Sequence, residues 1–76
     1  MGTEITTREK EILRCLAHGL ENKEIAAELR VKIRTVTSHL EKLSDKFDVH
    51  GRVNILRYAL WKGILTIGDF IDEISE

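Results

Sequence analysis

Between Lys32 and Phe47, the apolar residues Val36, Leu40, Leu43 and Phe47 follow one another at steps of four, three and four. That spacing is one stripe of an α-helix, and no strand can bury it on a single face. The other faces of the same stretch carry Lys32, Arg34, Thr35, Thr37, Ser38, Glu41, Lys42, Asp45 and Lys46. A helix with one buried stripe and a hydrogen-bonding outer face, basic at both ends, suits the major groove of duplex DNA. The stretch therefore predicts a recognition helix, and the remainder of the chain predicts the helices that hold it.

Helical spacing recurs on both sides. Thr6 followed by Glu9 has the capping-box spacing and opens a helix over about 7–18, with Ile12, Leu13, Leu16 and Ala17 inward and Gly19 as its left-handed stop. Leu20 tucks in after that turn. A short second helix begins at Glu21–Glu24 and turns Ile25, Ala26 and Leu29 inward; Arg30 and Val31 make the next turn. The third helix runs from about Ile33 to Phe47, and Asp48–Gly51 breaks it, with Val49 as a buried plug. A fourth follows from about Arg52 to Lys62, with Ile55, Leu56, Ala59 and Leu60 toward the core and Val53, Arg57 and Trp61 on another side. Beyond Gly63, Ile64 and Leu65 return to the core. Ile67, Phe70, Ile71 and Ile74 then predict a short fifth helix capped by Thr66 and Asp69. The expectation is an all-α four-helix bundle with a helix-turn-helix, a single domain over 1–76 with its core in 5–65 and a C-terminal extension over 66–76.

Composition narrows the function classes. The net charge of −1 looks unsuited to a DNA binder, but its distribution is polarised. Residues 31–62 hold Lys32, Arg34, Lys42, Lys46, Arg52, Arg57 and Lys62 against Glu41, Asp45 and Asp48, whereas residues 63–76 hold Asp69, Asp72, Glu73 and Glu76 and no base. No apolar run approaches the roughly 20 residues of a membrane span. One cysteine makes no internal disulfide, so a reducing cytoplasm is expected. Cys15 and His18 stand three apart, but a structural zinc site needs about four ligands and no second pair has metal spacing, so Cys15 reads as a small buried hydrophobe. His39 reads as a packing or capping residue. No nucleophile–base set, phosphate-cradling glycine loop or paired carboxylates are present, so no enzyme, metal or cofactor is expected.

Taken together, Thr6-x-Arg8-Glu9-x-Glu11-x-Leu13, Gly19, Asn22-Lys23-Glu24-Ile25-Ala26, Leu29, Thr35-Val36, His39, Lys46, Val49, Arg52 and Ala59-Leu60-x-Lys62-Gly63 resemble the LuxR-type (NarL/FixJ, GerE-like) DNA-binding domain over roughly Ile5 to Leu65. The resemblance implies a four-helix bundle, sequence-specific binding of double-stranded DNA in bacteria, and a homodimer through the fourth helix. It also implies a receiver or ligand-sensing domain in front of this one in a longer regulator. The chain departs from the pattern at Glu21 and Lys32, where the family usually has serine caps, and at Thr37, where it often has lysine. Lys32 cannot accept the hydrogen bond that a cap requires.

On this basis Arg34, Thr37, Ser38 and Glu41 are the expected base readers: Arg34 on guanine, the two hydroxyls on several edges, Glu41 on cytosine N4. Lys23, Thr35, Lys42, Lys46 and Arg52 are the expected phosphate contacts, with the amino end of the second helix as a further phosphate site. Val53, Arg57 and Trp61 are the expected dimer face; the bland alternative has Trp61 covering Ile64 or the tail within the monomer. Two rivals remain: a helical interaction module that has lost DNA binding, suggested by Thr37, Glu41 and the acidic tail, and a sigma-factor-like promoter-reading domain, which the fourth helix after Val49-x-x-Arg52 argues against.

Overall fold

In the computed structural model, which describes residues 4–71, four α-helices follow one another: α1 (Thr7–Ala17), α2 (Asn22–Leu29), α3 (Ile33–Phe47) and α4 (Arg52–Trp61). A 3-10 turn, Ile67–Phe70, closes the described chain. There is no strand among the described residues.

The inward stripes meet in one core. Ile12, Leu13 and Leu16 of α1, Ile25 and Ala26 of α2, Val36, Leu43 and Phe47 of α3, and Ile55 and Ala59 of α4 are all buried, with Leu65 beneath them. Phe47 stacks on Tyr58 with ring centroids 4.3 Å apart, which ties the end of α3 to α4. α1 starts as its spacing predicts: the Glu9 N–H donates to Thr6 Oγ1, and the Thr6 N–H donates back to Glu9 Oε1, both at 3.1 Å.

All four helices stop by the same device. A residue turns left-handed, and the next N–H reaches back five residues: Leu20 to Cys15 O, Val31 to Ala26 O, Val49 to Ser44 O, Ile64 to Ala59 O. This 6→1 bond satisfies a carbonyl that the helix end would leave unpaired, and the residue that makes it is typically apolar and folds under the last turn. Leu20, Val31, Val49 and Ile64 each pack against the core. Gly19 (φ 82°) and Gly63 (φ 78°) take the left-handed position at little cost. Arg30 (φ 60°) and Asp48 (φ 58°) take it without glycine, so the two turns that flank α3 are held by the packing of Val31 and Val49 rather than by backbone preference.

Two expectations are corrected. Leu60, expected inward, is 37 % exposed: Ala59 already faces the core, and one further step of 100° carries Leu60 out toward Trp61. The expected fifth helix is one 3-10 turn in the described residues, after which Ile71 is extended (φ −111°, ψ 125°). Ile74, the last residue of that expected stripe, lies outside the described residues. The turn lies on α1, where Asp69 meets Arg14 at 3.5 Å. The Thr66 N–H and the Arg14 charge hold the Asp69 carboxyl below its ordinary pKa.

Candidate nucleic-acid interface

α2 and α3 form the helix-turn-helix, with Arg30–Lys32 as the turn. α3 is pinned at its far end and plainly started at its near end. At the near end Lys32 precedes the first turn and makes no side-chain cap bond, as its chemistry requires. At the far end Lys46 donates to Glu9 Oε1 at 2.7 Å and to Glu4 O at 2.9 Å, and the Ser44 hydroxyl donates to Val49 O. Glu9 is 4 % exposed. Burial pushes its pKa up, but the Lys46 ammonium and the Thr6 backbone and hydroxyl outweigh that, and the carboxyl sits below its ordinary value. The side of α3 opposite the core presents Arg34, Ser38, Glu41 and Lys42, all exposed, with Thr35 and Thr37 half-buried beside them.

The expected reading residues are thus brought onto one free face. Thr37 offers less than its type suggests, because its hydroxyl donates to Arg34 O at 3.0 Å, with Ile33 O at 3.5 Å.

The expected phosphate contacts divide. Lys23 and Lys42 are exposed. Lys46 is engaged with Glu9 and Glu4, so it holds α3 to the start of α1. Arg52 donates to Leu20 O at 2.9 Å and to Asn22 Oδ1 at 2.6 Å, so it fastens the start of α4 to the turn before α2. Both guanidinium and ammonium have protein partners of good geometry, and both residues are therefore left out of the proposed phosphate set. The amino end of α2 is met by a carboxylate already: the Glu21 N–H donates to Glu24 Oε1 at 2.6 Å. A negative group at that end disfavours a second one there.

On α4, Val53 and Trp61 are 67 % and 75 % exposed, and Arg57 is exposed beside them. Trp61 meets Tyr58 edge-on at 5.8 Å, and the Lys62 ammonium lies 4.8 Å from its ring centroid. The Trp61 ring is therefore not core, and the tail turn packs on α1 instead of on it. Val49, Asn54, Arg57, Tyr58, Leu60 and Trp61 line a shallow groove along this face. Val49, Asn54, Tyr58 and Leu60 were not among the expected interface residues; for Leu60, its position one step before Trp61 is the signal the sequence holds. His39 Nδ1 is buried and has no hydrogen-bond partner among the described residues. Cys15 is half-buried, and burial together with the Glu28 and Glu11 charges pushes its thiol pKa up. Among the described residues no three His, Cys, Asp or Glu side chains are grouped to hold a metal, and no helix is long and apolar enough to cross a membrane.

Comparison with known proteins agrees with this geometry. The family described as "Bacterial regulatory proteins, luxR family" matches residues 3–59. The uncharacterized response regulatory protein YgeK of Escherichia coli (strain K12) is 41 % identical over 64 residues, 84 % of this chain and 44 % of that protein. The transcriptional regulatory protein YdfI of Bacillus subtilis (strain 168) is 40 % identical over 65 residues, 86 % of this chain and 30 % of that one. The solved structure of the response regulator ChrA of a heme-sensing two-component system superposes with a TM-score of 0.80 at 32 % identity, covering 82 % of this chain and 31 % of that chain. The chain spans less than half the length of each of these proteins. With its helix-turn-helix in place and three quarters of its length inside the family match, the chain belongs to the luxR family of bacterial regulatory proteins, as a DNA-binding domain of the transcription-regulator type.

Proposed function

We propose that this domain is the output half of a longer bacterial regulator and binds operator DNA as a homodimer on two half-sites. A receiver or sensor domain precedes it, and it acts in the cytoplasm. α3 enters the major groove. Arg34, Ser38 and Glu41 meet base edges, with Thr37 beside them; Lys23, Thr35 and Lys42 meet phosphates. The observation that carries this reading is the free polar face of α3, on a helix whose other side packs Val36, Leu43 and Phe47 into the core and whose far end is pinned by Lys46. A rigid helix presenting hydrogen-bonding groups at fixed spacing is what base readout needs.

The dimer is proposed through α4. Val53, Leu60 and Trp61 expose apolar area beside Arg57, and aromatic residues with arginine are common anchors at interfaces. The solved Vibrio cholerae VqmA dimer, a LuxR-type receptor whose chain has a TM-score of 0.76 to this one at 27 % identity, supports dimerisation as such. Each monomer's α3 would then meet one half-site, about one helical turn of DNA from the other.

The test is selection of bound sites from random duplex DNA, followed by a salt titration on the winner. A two-fold-related site whose affinity falls as salt rises is expected, because phosphate contacts release counterions. Failure to find any duplex bound in a salt-dependent way would leave a helical interaction module as the better description.

A further inference from the structure

The first residue of α3 is unlike the rest of the proposed reading face. Ile33 is 52 % exposed, a large aliphatic side chain at the end of the helix that carries Arg34 and Thr37. It makes no part of the core cluster. Thr37 stands four residues on, which places it beside Ile33 on the same side of the helix. Its hydroxyl hydrogen is directed back at Arg34 O and Ile33 O. What Thr37 has left for a neighbour is its γ-methyl and the lone pairs of Oγ1. Two adjacent positions at the start of α3 therefore present aliphatic carbon beside the hydrogen-bonding groups of Arg34, Ser38 and Glu41.

In the major groove one group fits such a surface. The C5-methyl of thymine is the apolar feature that distinguishes the four base pairs there, and aliphatic side chains and threonine methyls contact it. We propose that Ile33 and the Thr37 γ-methyl form a thymine-reading patch, so that each half-site carries one or two thymines facing the start of α3. This rests on the reading of α3 as the recognition helix, and it adds a base preference that hydrogen-bond matching of Arg34, Ser38 and Glu41 does not supply. The discrimination is modest and made by burial: desolvating one methyl is worth roughly a three- to fivefold change in affinity.

The experiment uses the selected duplex with each thymine replaced in turn by deoxyuridine, which deletes the C5-methyl and leaves every hydrogen-bonding atom. One or two neighbouring positions per half-site should weaken by roughly three- to fivefold and the other thymines should not change. The Ile33→Ala or Thr37→Ser protein should lose the thymine-over-uracil preference at one of those positions. Thr37→Val, which keeps the γ-methyl and replaces the hydroxyl with a second methyl, should keep it. Ile33 and Thr37 are not core residues, so these variants fold, and the near-unchanged melting of each serves as the control. Binding that is salt-dependent but indifferent to uracil at every thymine would overturn this inference and leave the recognition helix standing. Preference that survives both Ile33→Ala and Thr37→Ser, or that is lost in Thr37→Val, would also overturn it. Absence of salt-dependent binding to any duplex would instead remove the recognition-helix reading, and the patch with it.

Discussion

α3 and α4 each turn one side to the core and one side outward, and the outward sides differ in kind. That of α3 presents Arg34, Ser38, Glu41 and Lys42; that of α4 presents Val53, Leu60 and Trp61 around Arg57. Leaving polar groups in water costs nothing, so the α3 face is compatible with an unbound monomer and awaits a partner rich in hydrogen-bonding groups. Leaving a tryptophan three-quarters exposed forgoes burial worth about 2 kcal/mol or more, so the α4 face favours a partner that removes water from it. On two helices packed into one core, that contrast in exposed chemistry separates the proposed nucleic-acid face from the proposed self-association face.

The largest effect should come from a change that both faces share. Leu43 is fully buried beneath α3, and Leu43→Ala should cost about 3–5 kcal/mol of stability through lost burial and the cavity left behind. Chemical denaturation would measure it, and DNA binding and self-association should fail together. If one survived intact, the two faces would not depend on a common core.

Next is the pin at the far end of α3. Lys46→Ala leaves the buried Glu9 carboxylate without its ammonium and should cost roughly 2 kcal/mol. Its pH signature has a definite sign. Glu9 has a folded pKa below its ordinary value of 4.5, so the pair's contribution is fully present above that value and is lost as pH falls through the lower folded value. The wild type should lose more stability than the variant on acidification, and the two melting curves should converge. Lys42→Ala should flatten the salt slope of DNA binding by about one, whereas Lys46→Ala should not. A flattened slope for Lys46→Ala would return that residue to the phosphate contacts.

Arg34→Ala tests the α3 face by itself. It should lower discrimination at one base position by roughly 1–2 kcal/mol, toward the lower end of what a bidentate contact contributes, with dimerisation unchanged. Equal weakening on all sequences would assign Arg34 to phosphate. Trp61→Ala tests the α4 face and should have the smallest effect on the monomer, below about 0.5 kcal/mol in dilute melting, as for surface changes in general. Sedimentation across a concentration range should show weaker association. Unshifted association with a large drop in melting temperature would end the dimer-face proposal.

Much of the fold was open to inspection in the residues alone. Strides of three and four identified the inward sides of α1, α2 and α3, the Thr6–Glu9 pair placed the first cap, and Gly19 and Gly63 placed two helix stops, because each of these is a local rule acting over a few residues. The register of α4 was harder to read: its apolar residues go nearly all the way round, so periodicity could not say whether Leu60 joined the core or the groove.

What the tertiary structure decided is where long side chains end and which partner they meet. Lys46 and Glu9 stand 37 residues apart, Arg52 and Asn22 stand 30 apart, and no spacing rule joins them. From sequence both cations looked available for phosphate; packing brings α1 and the turn before α2 to them first. The left-handed stops at Arg30 and Asp48 are of the same kind, since neither residue type favours that conformation enough to announce it, and the burial of Val31 and Val49 imposes it. The exposure of Ile33 likewise depends on how α3 is seated. Local periodicity therefore determined the helices and their buried sides, because those follow from one chain's own geometry. Only the packed structure could apportion the charged and hydroxyl groups between the protein and a partner, because a long flexible side chain takes whichever neighbour the fold brings within reach.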